Sequence, residues 1–106
     1  MIENVAIPQA ELAALCQRYA IRKLSLFGSV LRADFRADSD IDVLVEFEPE
    51  ARINFFTFID LQDGLTALFQ RPVDLHTPNS LSRHMRTHII ETAQIVYERE
   101  RQDAFA

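Results

Sequence analysis

Apolar and polar positions alternate most strictly over Ile41–Phe47, where Ile41, Val43, Val45 and Phe47 fall on one face. Asp40, Asp42, Leu44 and Glu46 fall on the other, and Pro49 closes the run. Successive strand side chains point to opposite faces, so this period of two predicts a strand with one buried side. Residues 23–27 read as a shorter strand that ends at Gly28, and residues 29–34 as one or two helical turns capped by Ser29. Leu12, Leu15, Cys16 and Tyr19 recur at helical intervals behind Pro8, a residue suited to a first helical turn. A second helix is predicted over Phe55–Phe69, apolar at Phe55, Phe58, Ile59, Leu61, Leu65, Leu68 and Phe69. Gly64 inside it costs about 1 kcal/mol without forbidding it. Arg71 and Pro72 end that helix, and Val73–His76 follows as a short strand. A last helix begins at Asn79 or Ser80 and runs through Ile89, Ile90 and Ala93, while QIVYE at Gln94–Glu98 suits a helix and an edge strand equally. The order of elements predicts a single small α/β (α+β) domain over residues 1–106.

Composition narrows the class. With 48% apolar and 25% charged residues the chain can build a core and is not of disordered type. No apolar run reaches the roughly 20 residues of a membrane span, and residues 1–12 lack the basic-then-apolar order of a signal peptide. The lone cysteine, Cys16, lies on the apolar side of its helix and is expected to be a buried core thiol. A cytoplasmic location and no membrane partner are the expectation. The net charge of −5 argues against direct nucleic-acid binding, which normally appears as a basic domain. Acids dominate residues 34–50, whereas Arg71, Arg83, Arg86, Arg99 and Arg101 make the last third more basic. That asymmetry suits an anionic substrate or an acidic partner, and a solvated helix face explains it as well.

The charged positions inside apolar segments carry the chemistry. Asp40 and Asp42 share a strand face and stand close enough to repel, which a divalent cation relieves. Oxygen ligands of this kind suit magnesium or manganese. Asp74 sits between Val73 and Leu75, where a charge is costly unless it is paired, metal-bound or at an edge. If its strand lies beside Ile41–Phe47, Asp74 joins Asp40 and Asp42 on one face. Three carboxylates can hold two cations, with Asp74 as general base or second-metal ligand. Gly28 and Ser29 stand where a strand turns toward a helix, a place where backbone N–H groups meet phosphate. Arg32 shares a face with Ser29 and is expected to contact phosphate or to hold Asp38 or Asp40, and Ser39 orients the loop into Asp40. A phosphate cradle beside an acid pair describes phosphoryl or nucleotidyl transfer. His84 and His88 have the four-residue spacing of metal ligands, but no third ligand is evident nearby. The cluster of Phe55, Phe56, Phe58 and Phe69 is expected in the core, with any exposed members available for a homodimer or a partner.

Gly28-Ser29-Val30-Leu31-Arg32 followed by Ser39-Asp40-Ile41-Asp42-Val43 resembles the signature of minimal nucleotidyltransferases of the DNA polymerase beta-like superfamily. Arg71-Pro72-Val73-Asp74-Leu75 is similar to the family's third-carboxylate strand, and residues 81–98 are similar to its C-terminal region. The resemblance implies a nucleotidyltransferase fold, a small mixed β-sheet flanked by helices. It implies Mg2+, in keeping with the two cations that three carboxylates can hold, and ATP or another nucleotide as the donor. By position, Gly28 and Ser29 would bind phosphate, and Asp40, Asp42 and Asp74 would bind metal. Two positions depart from the pattern: Ala33 stands where many members have glycine after the arginine, and Gln70 where many have glycine before the arginine of the third strand. The resemblance further implies an antitoxin whose partner is a small helical HEPN-type toxin, with AMP transferred from ATP to a tyrosine hydroxyl of that toxin. The chain has no room for a second domain to hold an acceptor, which fits a protein that presents its own hydroxyl. Two other readings compete: a catalytically idle module that masks a partner, and a small-molecule enzyme acting on an aminoglycoside-like acceptor.

Overall fold

The computed structural model describes residues 6–31 and 40–99. Helix α1 (Gln9–Arg18) is followed by strands β1 (Ile21–Phe27) and β2 (Ile41–Phe47), helix α2 (Phe55–Phe69), strand β3 (Val73–His76), helix α3 (Arg83–Thr92) and strand β4 (Gln94–Glu98). The strands form one mixed sheet in the order β3-β2-β1-β4. β1 is antiparallel to β2 and to β4, and β2 runs parallel to β3. This is the α+β architecture expected, and QIVYE resolves as the edge strand β4, paired to β1 from Lys23↔Glu98 to Leu26↔Gln94.

The period-two pattern sorts the sheet into two faces. Ile41, Val43 and Val45 of β2, Leu24 and Leu26 of β1, and Val73 and Leu75 of β3 pack with Leu12 and Cys16 of α1 and Leu61, Leu65 and Phe69 of α2. Each such side chain removed from water contributes about 1.5–3 kcal/mol before entropy is counted. Burial pushes the Cys16 thiol from 9.0 up to about 12, in keeping with an inert core cysteine. The opposite face holds a smaller cluster, Phe27, Leu44 and Ile89, with Leu81 and Ala93 against it. There α3 touches the sheet mainly through Ile89, while Met85 and Ile90 stay exposed.

Local signals set the helix ends. Asn54 Oδ1 accepts the Thr57 N–H at 2.8 Å and starts α2. Gln70 ends α2 at φ +57°, a left-handed position that favours glycine. Ser82 caps α3, accepting the Met85 N–H at 3.3 Å, so α3 begins later than Asn79 or Ser80. Residues Pro78–Ser80 instead form a separate 3-10 turn, because Pro78 starts a turn closed by the Ser80 hydroxyl on Thr77. The turn after β1 is likewise a 3-10 turn, Gly28–Leu31, opened by Gly28 rather than capped by Ser29. Phe69 is buried and Phe58 packs against the core, but Phe55 and Phe56 are 71% and 76% exposed. They occupy the first turn of α2, ahead of the inward stripe of Phe58, Leu61, Leu65 and Phe69, and stack edge to face on each other at 5.9 Å.

Candidate functional site

β2 and β3 deliver the acids. Their parallel register pairs Asp42 with Asp74 and Leu44 with His76, so Asp42 and Asp74 lie side by side on the face opposite the main core. Across β1, Phe27 is the partner of Asp42. β3 is an edge strand, and its outer side is held by α2: the Leu75 N–H donates to Gln62 Oε1 at 3.2 Å. Pro72 carbonyl accepts the Ile41 N–H at 2.9 Å on the inner side. The strand that carries Asp74 is therefore fixed from both sides although it has only four residues.

One ligand atom from each of Asp42, Asp74 and His76 lies within 4.8 Å of the others. His76 Nε2 is 3.1 Å from Asp74 Oδ2 and 3.9 Å from Asp42 Oδ1. The Asp74 side chain is 57% exposed, against 29% for Asp42 and 27% for His76, so the cluster opens to solvent on the Asp74 side. The imidazole meets the Phe27 ring edge to face, with centroids 5.4 Å apart.

Gly28 completes the corner. Its φ of +77° favours glycine, and a Cβ there would overlap Asp42 Oδ2. The backbone at the head of the Gly28–Leu31 turn thus presses directly on the Asp42 carboxylate. Ser29 follows in that turn and is half-buried. Asp40 immediately precedes β2 and is exposed, and it stands outside the Asp42–Asp74–His76 group. Period two puts Asp40 and Asp42 on one face only where both are in the strand, and the strand begins at Ile41. Arg32, Ser39 and Ala33 lie outside the described residues. His84 and His88 are exposed on α3 and form no three-residue ligand group among the described residues. His76 escaped the sequence reading, although its signal was present: it stands two residues beyond Asp74 in a strand and so shares its face.

The donors fit a divalent cation. Two carboxylates and an imidazole offer hard and borderline ligands, and their spacing is that of groups around one ion. The model for the family described as polymerase beta, nucleotidyltransferase, matches residues 10–102. The chain belongs to that family. It is 33% identical over 95 residues to the protein adenylyltransferase MntA of Thermococcus cleftensis, covering 90% of this chain and 92% of that protein. Among solved structures, a toxin–antitoxin with AMP-PNP superposes with a TM-score of 0.69 at 18% identity, covering 92% of this chain and 79% of that one. A complex of tri-AMPylated Shewanella oneidensis HEPN toxin with MNT antitoxin superposes with a TM-score of 0.56 at 18% identity, covering 91% and 74%. At that identity these two likenesses establish the fold. The nucleotidyltransferase family implies a nucleotide substrate and a divalent metal. No helix among the described residues is long and apolar enough to cross a membrane.

Proposed function

We propose that this chain transfers AMP from ATP to a hydroxyl of a partner protein, and serves as the antitoxin of a HEPN-type toxin–antitoxin pair in the cytoplasm. The observation that carries the reading is the in-register pairing of Asp42 with Asp74 beside the Gly28 turn. In the reaction the acceptor oxygen bonds to the α-phosphorus, the bond from that phosphorus to the bridging oxygen of the β-phosphate breaks, and pyrophosphate leaves. Asp42 and Asp74 would hold divalent cations, expected as two Mg2+, with Asp40 supplying a further carboxylate. Cations held by these carboxylates would neutralise phosphate charge and lower the pKa of the attacking hydroxyl. Asp74, the most exposed of the cluster, would receive the hydroxyl proton. The Gly28–Leu31 turn, through its backbone and Ser29, would receive the phosphates, with Arg32 and Ser39 as further nucleotide contacts. For a homodimer, Phe55 and Phe56 offer exposed apolar surface, whereas Phe58 and Phe69 are turned into the core.

The test is to co-express the chain with its HEPN-type partner and measure the partner's intact mass. Addition of one or more AMP units with the unmodified chain, and none with Asp42→Asn, is expected. An unmodified partner mass in the presence of ATP and Mg2+ would favour an idle masking module. Modification of an aminoglycoside in place of the partner would favour the small-molecule reading.

A further inference from the structure

We infer that His76 is itself a metal ligand, and that its Nε2 gives the Asp42–Asp74 site a preference for Mn2+ over Mg2+. The inference rests on the reading of Asp42 and Asp74 as metal-binding. Ligand bonds of about 2.0–2.2 Å put neighbouring donors about 3 Å apart and opposite donors a little over 4 Å apart. His76 Nε2 lies 3.1 Å from Asp74 Oδ2 and 3.9 Å from Asp42 Oδ1, within that span on both counts. One ligand atom of each of the three lies within 4.8 Å of the others, so side-chain adjustment alone can bring all three onto one ion. The register that aligns Asp42 with Asp74 also aligns Leu44 with His76, so the imidazole is delivered by the same two hydrogen-bonded strands.

The ring is also held in place. Phe27, 8% exposed and packed with Leu44 and Ile89, meets the imidazole edge to face at an interplanar angle of 60°. A ligand fixed by packing loses little freedom when it binds. Asp40, by contrast, is exposed and lies before the first residue of β2.

The donor chemistry sets the preference. Magnesium takes near-octahedral oxygen ligands and gives up its water reluctantly. Imidazole suits first-row transition ions, and manganese is the one among them that carboxylates also accept well. A site of two carboxylates and one imidazole therefore gains more from Mn2+ than from Mg2+.

Pulsed EPR of Mn2+ added to the unmodified chain reads the ligand directly, through the modulation that a coordinated imidazole nitrogen imposes. Nitrogen modulation that disappears in His76→Gln is the expected result. Calorimetry with each metal alone should show Mn2+ affinity falling about 10–100-fold in His76→Gln, at least the loss that follows removal of an outer-shell partner. Mg2+ affinity should stay within about threefold of the unmodified chain, since magnesium draws little from the imidazole. Bound Mn2+ without nitrogen modulation, or equal losses for both metals, overturns the inference and leaves the role of Asp42 and Asp74 standing. Mn2+ affinity unchanged by both Asp42→Asn and Asp74→Asn overturns that underlying reading, and the inference with it.

Discussion

The two faces of the sheet are built for different ends. The face under α1 and α2 is closed and apolar, with Leu12, Leu24, Leu26, Ile41, Val43, Val45, Leu61 and Leu65 all fully buried. The face under α3 keeps a patch of only Phe27, Leu44 and Ile89 in its core and surrounds it with charge. Lys23 and Glu46 pair across β1 and β2 there, and Asp42, Asp74 and His76 share one corner. A four-stranded sheet can leave a face this open because the other face supplies most of the hydrophobic stabilisation. Like charges that would be costly in a core are tolerated in a half-solvated corner, where a cation and a nucleotide can reach them.

If that division is real, substitutions on the two faces should fail in different ways. Asp42→Asn should reduce AMP transfer about 100-fold or more by removing a metal-binding carboxylate, while the unfolding midpoint in urea stays close to that of the unmodified chain. Loss of folding together with activity would mean that the acid is structural. Leu65→Ala should do the reverse, costing about 2–5 kcal/mol in equilibrium unfolding because it opens a cavity in the closed face. The protein that remains folded should transfer AMP at nearly the normal rate. Gly28→Ala straddles the boundary, since the new methyl strains the backbone and pushes on Asp42. It should destabilise by about 1–3 kcal/mol and also lower transfer, and a variant that changed only one of the two would separate the turn from the acid. The smallest effect is expected at Gln70, an exposed position at the end of α2 and outside the acid cluster. Gln70→Gly should raise stability by about 0.5–1 kcal/mol, the relief of a left-handed side chain less the entropy of glycine, with activity unchanged.

Much of this division could be read from the sequence. The end of β2 at Pro49, and the break between α2 and β3 at Arg71 and Pro72, follow from periodicity and its stops. The Asp42–Asp74 pairing followed from placing two short strands side by side. What escaped was set at long range. QIVYE has no local bias, and its pairing with β1 decides that it is a strand. Phe55 and Phe56 match the helical period of α2 locally, but the core beneath them ends one turn later, at Phe58. His76 shares the face of Asp74 by period two alone, and the register with β2 is what brings both to Asp42. The exposed position of Asp40 depends on where β2 starts, which a period of two does not fix.

Asp42 and Asp74, brought together by parallel strands, are proposed to support transfer of AMP from ATP. That role is tested most directly by supplying the chain and its HEPN-type partner with ATP labelled at the α- or at the γ-phosphate, in parallel reactions. The α-label should enter the partner, the γ-label should be released in pyrophosphate, and Asp42→Asn and Asp74→Asn should each abolish the α-labelling. Label entering from the γ-position, or α-labelling that survives both substitutions, would contradict it.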